Sequence, residues 1–398
     1  MSSAREALRQ ARLLLRLGTD DVERSLGLTP GCLAAIEDGH VALETALLDE
    51  LAVFYGLHPA DVAQARPIET SLAAVRELIE ASAADLAPSL WSDIARIAAV
   101  REDVKRLERA LVKPDRYMVL YTFFGQKKED ETTEIEQRDR ATWRKTMALV
   151  GKVRAHQQID PEDPVPSMRD LVAGLGIELV CAEFADARVA AFALRDAAHG
   201  PTIVLNLSGA NASPCVRRRT IAQQICHLLQ DETTRRPGVQ FYESAGTATA
   251  DPIATMADHF ADALLAPDHA VRRDRQRMKR EKLSVAAQVQ QLMDRFGISF
   301  ETACRRLRHA GGLSDGEIQA LEPVALDARR LSEWSTAEAT VADADVRWGS
   351  VPADRRGYVG RLVLEAWRSK SIDRRQAIDL LQAAPDEHLE DLLGLVPD

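Results

Sequence analysis

The spacing of apolar residues predicts helices over most of the chain. In residues 4–17 and 89–112, Leu, Ile, Val and Ala recur every three or four positions, which places them on one face of an α-helix. Short apolar runs over 177–182, 189–194 and 202–206 predict three strands instead. The pattern therefore predicts a mainly α protein with a small α+β domain.

Glycine and helix-capping residues divide the N-terminal segment into short helices. We expect Thr19 to cap a helix that ends at Gly27, and Pro30 to open the next helix. Two short helices joined by a tight turn are typical of a helix-turn-helix. The segment resembles the Xre/Cro-type DNA-binding domain at Leu17, Gly18, Leu26, Gly27, Leu28, Ile36 and Gly39. The resemblance implies binding of double-stranded DNA, with contacts at Thr19, Thr29, Gly31 and Cys32.

The charge of this segment argues against strong DNA binding. Residues 1–65 contain five arginines, no lysine and ten acidic residues. Proteins that bind DNA gain much of their affinity by neutralising phosphates. We expect Arg9, Arg12 and Arg16 of the first helix to supply some of that contact. The alternative is a helix-turn-helix that is retained as a protein-binding or dimerising unit.

A modified metallopeptidase motif lies in the middle of the chain. Gln223, Gln224 and His227 stand where zinc peptidases with an H-E-x-x-H helix have histidine, glutamate and histidine. The two histidines of that motif share one helix face and bind one metal, and the glutamate takes a proton from the metal-bound water. A neutral amide is a poor zinc ligand and cannot act as a base. The motif therefore predicts a helix without the catalytic groups.

The residues around this motif resemble the ImmA/IrrE-type metallopeptidases. Residues 218–229 keep the arginine, threonine and apolar positions of the zinc helix, and 254–267 keep the alanine, phenylalanine, leucine and proline positions of a later helix. The resemblance covers about 142–325 and implies a zincin-like domain. It also implies a third ligand from an acidic position that is Met256 or Ala254 here. Two ligands and the base are thus replaced together.

These replacements predict a pseudopeptidase with no catalytic residues and no zinc. A metal site rebuilt by other residues is an alternative, and its first candidate ligands are His227 and His259. We expect the groove of the domain to hold a protein or peptide partner. Because relatives that join an Xre-type domain to an ImmA/IrrE-type domain are regulators, the resemblance implies a DNA-binding transcriptional repressor, or a regulator of stress or mobile elements. The alternatives are a scaffold or antirepressor that does not bind DNA, and an active metallopeptidase that cleaves a repressor.

The most basic window of the chain follows this motif. Residues 272–282 contain seven basic and two acidic residues, and are either a nucleic-acid contact or a solvated helix face. Residues 285–309 form a second helix-turn-helix-like pattern around Gly297. We expect Arg305 and Arg306, near its end, to contact DNA.

The remaining segments are predicted to be helical connections. Helices over 70–85 and 89–112 are expected in the linker, and the apolar side of the second either pairs two chains into a homodimer or packs on a neighbouring domain. Tyr117–Phe124 is rich in β-prone aromatic residues and is either a strand or an apolar patch against a partner. The predicted regions are 1–65 helix-turn-helix, 66–141 linker, 142–325 pseudopeptidase and 326–398 C-terminal helical module.

From its composition we expect a cytoplasmic protein with no membrane span. The net charge is −10, and no apolar run is long enough to span a bilayer or to act as a secretory signal. The five cysteines are odd in number and widely spaced, so we expect buried thiols and no disulfides.

Overall fold

The computed structural model describes residues 2–15, 17–57, 59–63, 88–113, 135–184, 186–196, 199–230, 238–243, 252–311, 313–321, 334, 348, 350–384 and 389. The chain is mainly helical with one small sheet, which confirms the predicted fold class. The predicted helix over 70–85 and the segment Tyr117–Phe124 lie outside the described residues. Within the described ranges, no helix is long and apolar enough to cross a membrane.

The helices before the sheet are α1 Ser2–Leu14, α2 Thr19–Leu26, α3 Cys32–Glu37, α4 Thr45–Phe54, α5 Pro59–Ala63, α6 Pro88–Ala110, α7 Ile135–His156 and α8 Met168–Gly174. Within and after the sheet lie α9 Pro214–Gln230, α10 Pro252–Leu265, α11 Asp268–Arg280, α12 Val285–Phe296, α13 Phe300–His309, α14 Asp315–Gln319, α15 Tyr358–Arg368 and α16 Arg374–Leu381.

The N-terminal segment folds into short helices joined by tight turns, but two predicted helix starts are wrong. Thr19 is the first residue of α2 and Gly18 is its N-cap, so Thr19 does not cap the helix. Gly27 ends α2 in the left-handed conformation, with a φ of 65°, as predicted. The next helix begins at Cys32 and not at Pro30, because Gly31 before it has a φ of 81°.

The sheet has the strand order β1-β3-β2-β4, with β3 parallel to β1 and antiparallel to β2. Its strands are β1 Glu178–Ala182, β2 Val189–Asp196, β3 Gly200–Asn206 and β4 Gly238–Glu243. The first three confirm the predicted strands. The edge strand β4 was not predicted, although its short β-prone sequence of valine, phenylalanine and tyrosine is a strand signal.

Alternating side chains place the two faces of the sheet in different cores. Ala191 and Ala193 of β2 belong to the core beneath α9, whereas Phe192 and Leu194 belong to the core of the N-terminal helices. The sheet therefore separates the core beneath α9 from the core of the N-terminal helices and is packed on both sides.

Helix α6 connects three parts of the molecule. Its first half, with Ile94 and Ile97, lies in the core shared by the N-terminal helices and the outer face of the sheet. Its second half, with Val104 and Leu107, lies in a core with α15 and α16. The buried guanidinium of Arg101 donates to the carbonyl oxygen of Gly200 at 2.7 Å, which ties the helix to β3. The apolar stripe of α6 thus packs within its own chain.

All five cysteines are free, in agreement with the expected absence of disulfides. Cys215, Cys226 and Cys304 are buried. Burial raises the pKa of the Cys215 thiol to about 11, and it raises the pKa of Cys226 further. These thiols stay protonated and act as small apolar side chains.

Candidate functional site

Helix α9 is the central helix of the peptidase-like core. Ile221 and Ile225 are buried in the core of this domain. Gln224 and His227 are buried as well, at 1% and 3% exposed, whereas Gln223 is half-buried. The modified motif therefore lies inside the domain and not on an open surface.

The arginine and threonine that precede the motif hold α9 in place. Arg218 is completely buried, donates to the carbonyl oxygen of Val165 at 2.6 Å, and lies 4.4 Å from the ring centre of Trp334. The Thr220 hydroxyl donates to Oδ1 of Asn211 at 2.9 Å. These contacts position α9 against the loop before α8, Asn211 and Trp334, so both side chains contribute to packing.

Gln223, at the first ligand position, is bound to a neighbouring helix. Its Nε2 donates to Oδ1 of Asp258 on α10 at 2.6 Å. The same oxygen accepts a hydrogen bond from Nη2 of Arg219 at 2.6 Å. The nitrogen of the Gln223 amide therefore faces Asp258 and acts as a hydrogen-bond donor. A metal ligand needs a lone pair, which this nitrogen does not offer.

A buried charge network joins α9, α10 and α13 beside this contact. Asp262 is 5% exposed and accepts from Nε of Arg219 at 3.1 Å and from Nε of Arg305 at 2.9 Å. Burial opposes ionisation of Asp262, but the hydrogen bonds and charges of Arg305 and Arg219 outweigh it and lower the pKa of the carboxyl. The carboxylate is thus charged at neutral pH and fixes the two arginines. The sequence prediction missed Asp262.

The base position and the third ligand position hold neutral side chains. Oε1 of Gln224 is buried and has no hydrogen-bond partner among the described residues. Met256 is half-buried and packs against the core of the domain. An amide at the base position takes no proton from water, and a thioether replaces the carboxylate expected from α10.

The two candidate histidines for a rebuilt metal site have different surroundings. His227 is buried in α9, whereas His259 on α10 packs edge-on against Trp143, with ring centres 5.3 Å apart. His309 lies 5.9 Å from His259 by ring centres. Across the ranges that the structure covers, no three His, Cys, Asp or Glu side chains converge on one point. The donor set at the motif, one imidazole, one amide and one thioether, does not fit a zinc ion.

The structure corrects the predicted DNA contact at Arg306. Its side chain is 2% exposed and its Nη2 binds Oδ1 of Asp268, so it does not reach a phosphate from this position. The side chain of Arg305 is 38% exposed, but its charge is balanced by Asp262. The arginines at the end of α13 therefore hold α13 to the peptidase-like domain.

The predicted contacts of the N-terminal unit lie around the start of α3. Thr29 and Gly31 are exposed, and Thr19 and Cys32 are half-buried. A residue that the sequence prediction missed, Glu23, is buried beneath them. Its carboxylate accepts from the backbone N–H groups of Gly31 at 2.9 Å and Leu33 at 2.7 Å.

Arg12 was expected to be available to DNA, but it is bound within the same unit. Its guanidinium donates to both carboxylate oxygens of Glu37 at 2.7 Å, and Nη1 donates to the carbonyl oxygen of Leu17 at 2.8 Å. The hydrogen bond from Arg12 to Glu37 raises the arginine pKa. A fixed, neutralised pair of this kind stabilises the bundle and does not neutralise a phosphate.

Comparison with protein families agrees with the peptidase-like part of this description. Residues 173–308 match the family model described as the IrrE N-terminal-like domain, Peptidase_M78. The match lies within the predicted range of 142–325 and includes α9, α10 and the helices up to Arg308. It does not extend to residues 1–65. No curated protein matches the chain as a relative.

Proposed function

We propose that this protein is a DNA-binding transcriptional regulator whose IrrE-like domain binds a partner and does not cleave peptides. The observation that supports this most is the bonded state of Gln223. Its amide donates to Asp258 at 2.6 Å, where catalysis would need a metal ligand. Gln224 beside it is an amide where catalysis would need a base.

The absence of a catalytic role leaves a domain suited to binding. In metallopeptidases of this type, the zinc polarises the substrate carbonyl and activates water. Here the residues hold the scaffold instead, since Arg218 and Thr220 anchor α9 and Asp262 joins three helices. We propose that a protein or peptide partner binds in the groove of this domain, and that no zinc is required.

The shared core offers a route from that groove to DNA. The N-terminal helices and the outer face of the sheet form one apolar core through α6, so a change in the domain can shift the helix-turn-helix. Thr29 and Gly31 are exposed at the start of α3, where base contacts are made in this motif. We propose that the chain acts as a homodimeric repressor, or as a regulator of stress or mobile elements, in the cytoplasm.

Metal content tests the loss of peptidase function. We expect the purified protein to contain far less than one equivalent of zinc or manganese per chain. The triple variant Gln223→His, Gln224→Glu, Met256→Glu should bind about one equivalent, because it restores two ligands and the base. Gln290→His, Gln291→Glu, Leu321→Glu adds the same residue types at partly buried positions elsewhere in the domain and should bind none. One tightly bound ion in the natural protein, or turnover of a protein substrate, would support the metallopeptidase alternative.

A fluorescence polarisation assay tests the DNA-binding part. The duplex would be the region upstream of the protein's own gene, with a random duplex of equal length at the same stated salt. We expect tighter binding of the upstream duplex, because direct contacts at Thr29 and Gly31 add to backbone contacts. Equal affinity for both duplexes, even at low salt, contradicts an operator-binding function.

A scaffold or antirepressor without DNA binding is a second candidate. Before α3, Thr29 is the exposed side chain that can form hydrogen bonds to a base. Within α3, the partly exposed positions Ala34 and Ala35 carry only methyl groups. The neutralisation of Arg12 by Glu37 also favours this candidate. Capture of one defined protein from the host at near-equal stoichiometry, together with no binding to any duplex, would select it over the regulator.

A further inference from the structure

One side of helix α11 is basic and exposed to solvent. Ala270, Val271, Asp274 and Met278 are the buried positions of this helix. At 100° per residue, the opposite side of the helix is formed by Arg272, Arg273, Gln276, Lys279 and Arg280, all exposed. We call these five residues the α11 basic face.

Three of its four charges are not neutralised by the protein. Among the described residues, Arg272, Lys279 and Arg280 form neither a hydrogen bond nor an ion pair. Arg273 is paired with Glu162, but both side chains are partly exposed, so the pair can open to another anion. The nearby acids have other partners, since Asp274 is bound to Arg295 and Asp268 to Arg306. Glu317 interacts electrostatically with Lys279, but its carboxylate is bonded to Ser314.

In contrast to the cations of α11, Arg305 and Arg306 of α13 are paired with acidic residues. Arg305 and Arg306 follow the turn at Gly297, where a helix-turn-helix would present its DNA-contacting helix. They are bound to Asp262 and Asp268, and Arg306 is buried. The cationic surface of this region is therefore on α11, two helices earlier than the motif suggests.

The dimensions of the face suit a duplex backbone. Arg272 and Arg280 are eight residues apart, which corresponds to about 12 Å along a helix. One DNA strand has a phosphate about every 3.4 Å along the duplex axis, so about three phosphates lie within that length. The four cations stand on the convex side of a helix, and three of them have no ion-pair partner among the described residues. They can therefore contact neighbouring phosphates without a pocket.

We propose that the α11 basic face binds the phosphate backbone of double-stranded DNA and supplies affinity that the acidic N-terminal unit lacks. This inference rests on the proposed DNA-binding function and assigns its backbone contact. Contacts to phosphates do not depend on sequence. The α11 basic face therefore raises the affinity for operator and random duplexes equally. Contacts at the start of α3 determine the preference for the operator.

The test compares full-length variants on a random 25-base-pair duplex over a series of salt concentrations. Arg272→Gln, Lys279→Gln, Arg280→Gln should weaken binding about tenfold or more at 50 mM salt. It should also reduce the slope of log K against log salt by about 2 to 3, since each lost phosphate contact removes about 0.9. The control Arg368→Gln, Lys370→Gln, Arg375→Gln removes the same charge from exposed positions near the C-terminus and should leave the slope unchanged.

A second variant separates charge from local structure. Arg272→Lys, Arg280→Lys keeps both charges and should keep the salt slope of the natural protein. Equal slopes for the glutamine triple variant and the C-terminal control overturn the proposal. A glutamine triple variant that binds DNA normally but loses binding to vesicles with anionic lipids or to an acidic protein also overturns it, because the face then serves another partner.

The outcomes distinguish this proposal from the proposed function. Operator preference with an unchanged slope in the triple variant rejects the α11 basic face and leaves the regulator intact. A reduced slope on random duplex, with no operator preference in the natural protein, supports the face and rejects sequence-specific regulation. No binding of the natural protein to either duplex at low salt rejects both.

Discussion

At the residue scale, the chain uses buried charged side chains to fix its helices. Glu23 bonds two backbone N–H groups at the start of α3, and Arg12 is paired with Glu37 across the same bundle. Asp262 forms ion pairs with Arg219 of α9 and Arg305 of α13. Such groups are costly to bury unless each is bonded, so removal of one partner leaves the other unsatisfied.

Glu23→Ala should destabilise the N-terminal helices by about 1–3 kcal/mol, because the buried N–H of Leu33 and that of Gly31 lose their acceptor. Urea denaturation at pH 7 measures the change. Glu50→Ala removes an equal charge from an exposed position of α4 and should shift the free energy of unfolding by less than about 0.5 kcal/mol. Equal effects of the two substitutions would show that the Glu23 bonds contribute nothing.

Asp262→Asn should destabilise the protein by about 3 kcal/mol at pH 7, at the low end for a buried pair because Arg305 keeps some water. The folded-state pKa of Asp262 is lowered, so its contribution is present above the ordinary aspartate pKa of about 4 and is lost as pH falls through the lower folded value. The difference between the two proteins should therefore shrink below about pH 4 in urea denaturation. Asp379→Asn, at an exposed position of α16, is the matched control and should change the free energy of unfolding at pH 7 by less than about 0.5 kcal/mol.

At the element scale, close approaches of the backbone decide how helices meet. Gly56 follows α4 with a φ of 71°, and a β-carbon there would lie 2.3 Å from the carbonyl group of Ala95 on α6. No larger residue fits without separating the two helices. The absence of a side chain at Gly56 therefore allows the close approach of the N-terminal helices to α6.

Gly56→Ala should destabilise the protein by about 2 kcal/mol or more, because the added methyl group meets backbone and the positive φ is unfavourable for alanine. Gly151→Ala is the matched control. Its position in α7 is helical and open, so alanine should stabilise by about 0.5–1 kcal/mol. Thermal or urea unfolding of both variants gives the signs, and a stable Gly56→Ala protein would contradict this packing of α4 on α6.

At the scale of the whole molecule, α6 makes the N-terminal helices part of a larger core. Ile94 lies in the core that contains both the N-terminal helices and Phe192 of the sheet, whereas Val104 lies in the core of the C-terminal helices. A disturbance of the outer face of the sheet can therefore reach the N-terminal helices by packing alone. This continuity is the physical basis of the proposed sensing.

Ile94→Ala should lower stability by about 2–5 kcal/mol and reduce amide protection in α2–α4 and in β2 and β3 together. Hydrogen exchange measures both regions in one experiment. Val104→Ala should reduce protection in α15 and α16 instead. Loss of protection confined to the N-terminal helices in Ile94→Ala would show that the two regions are not coupled through this core.

Features that depend on local spacing could be predicted from the amino-acid sequence. Apolar periodicity predicted the helical content and three strands, and Gly27 and Gly297 marked two turns, because these features follow from backbone preferences within a few residues. The replaced residues of the zinc motif are also visible in the sequence. The partners of the charged residues could not be predicted in this way, because ion pairs join residues that are far apart in the chain and meet only in the fold. The tertiary structure bound Arg306 to Asp268 and Gln223 to Asp258, left Arg272 and Arg280 exposed, and placed the N-terminal helices on the sheet through α6.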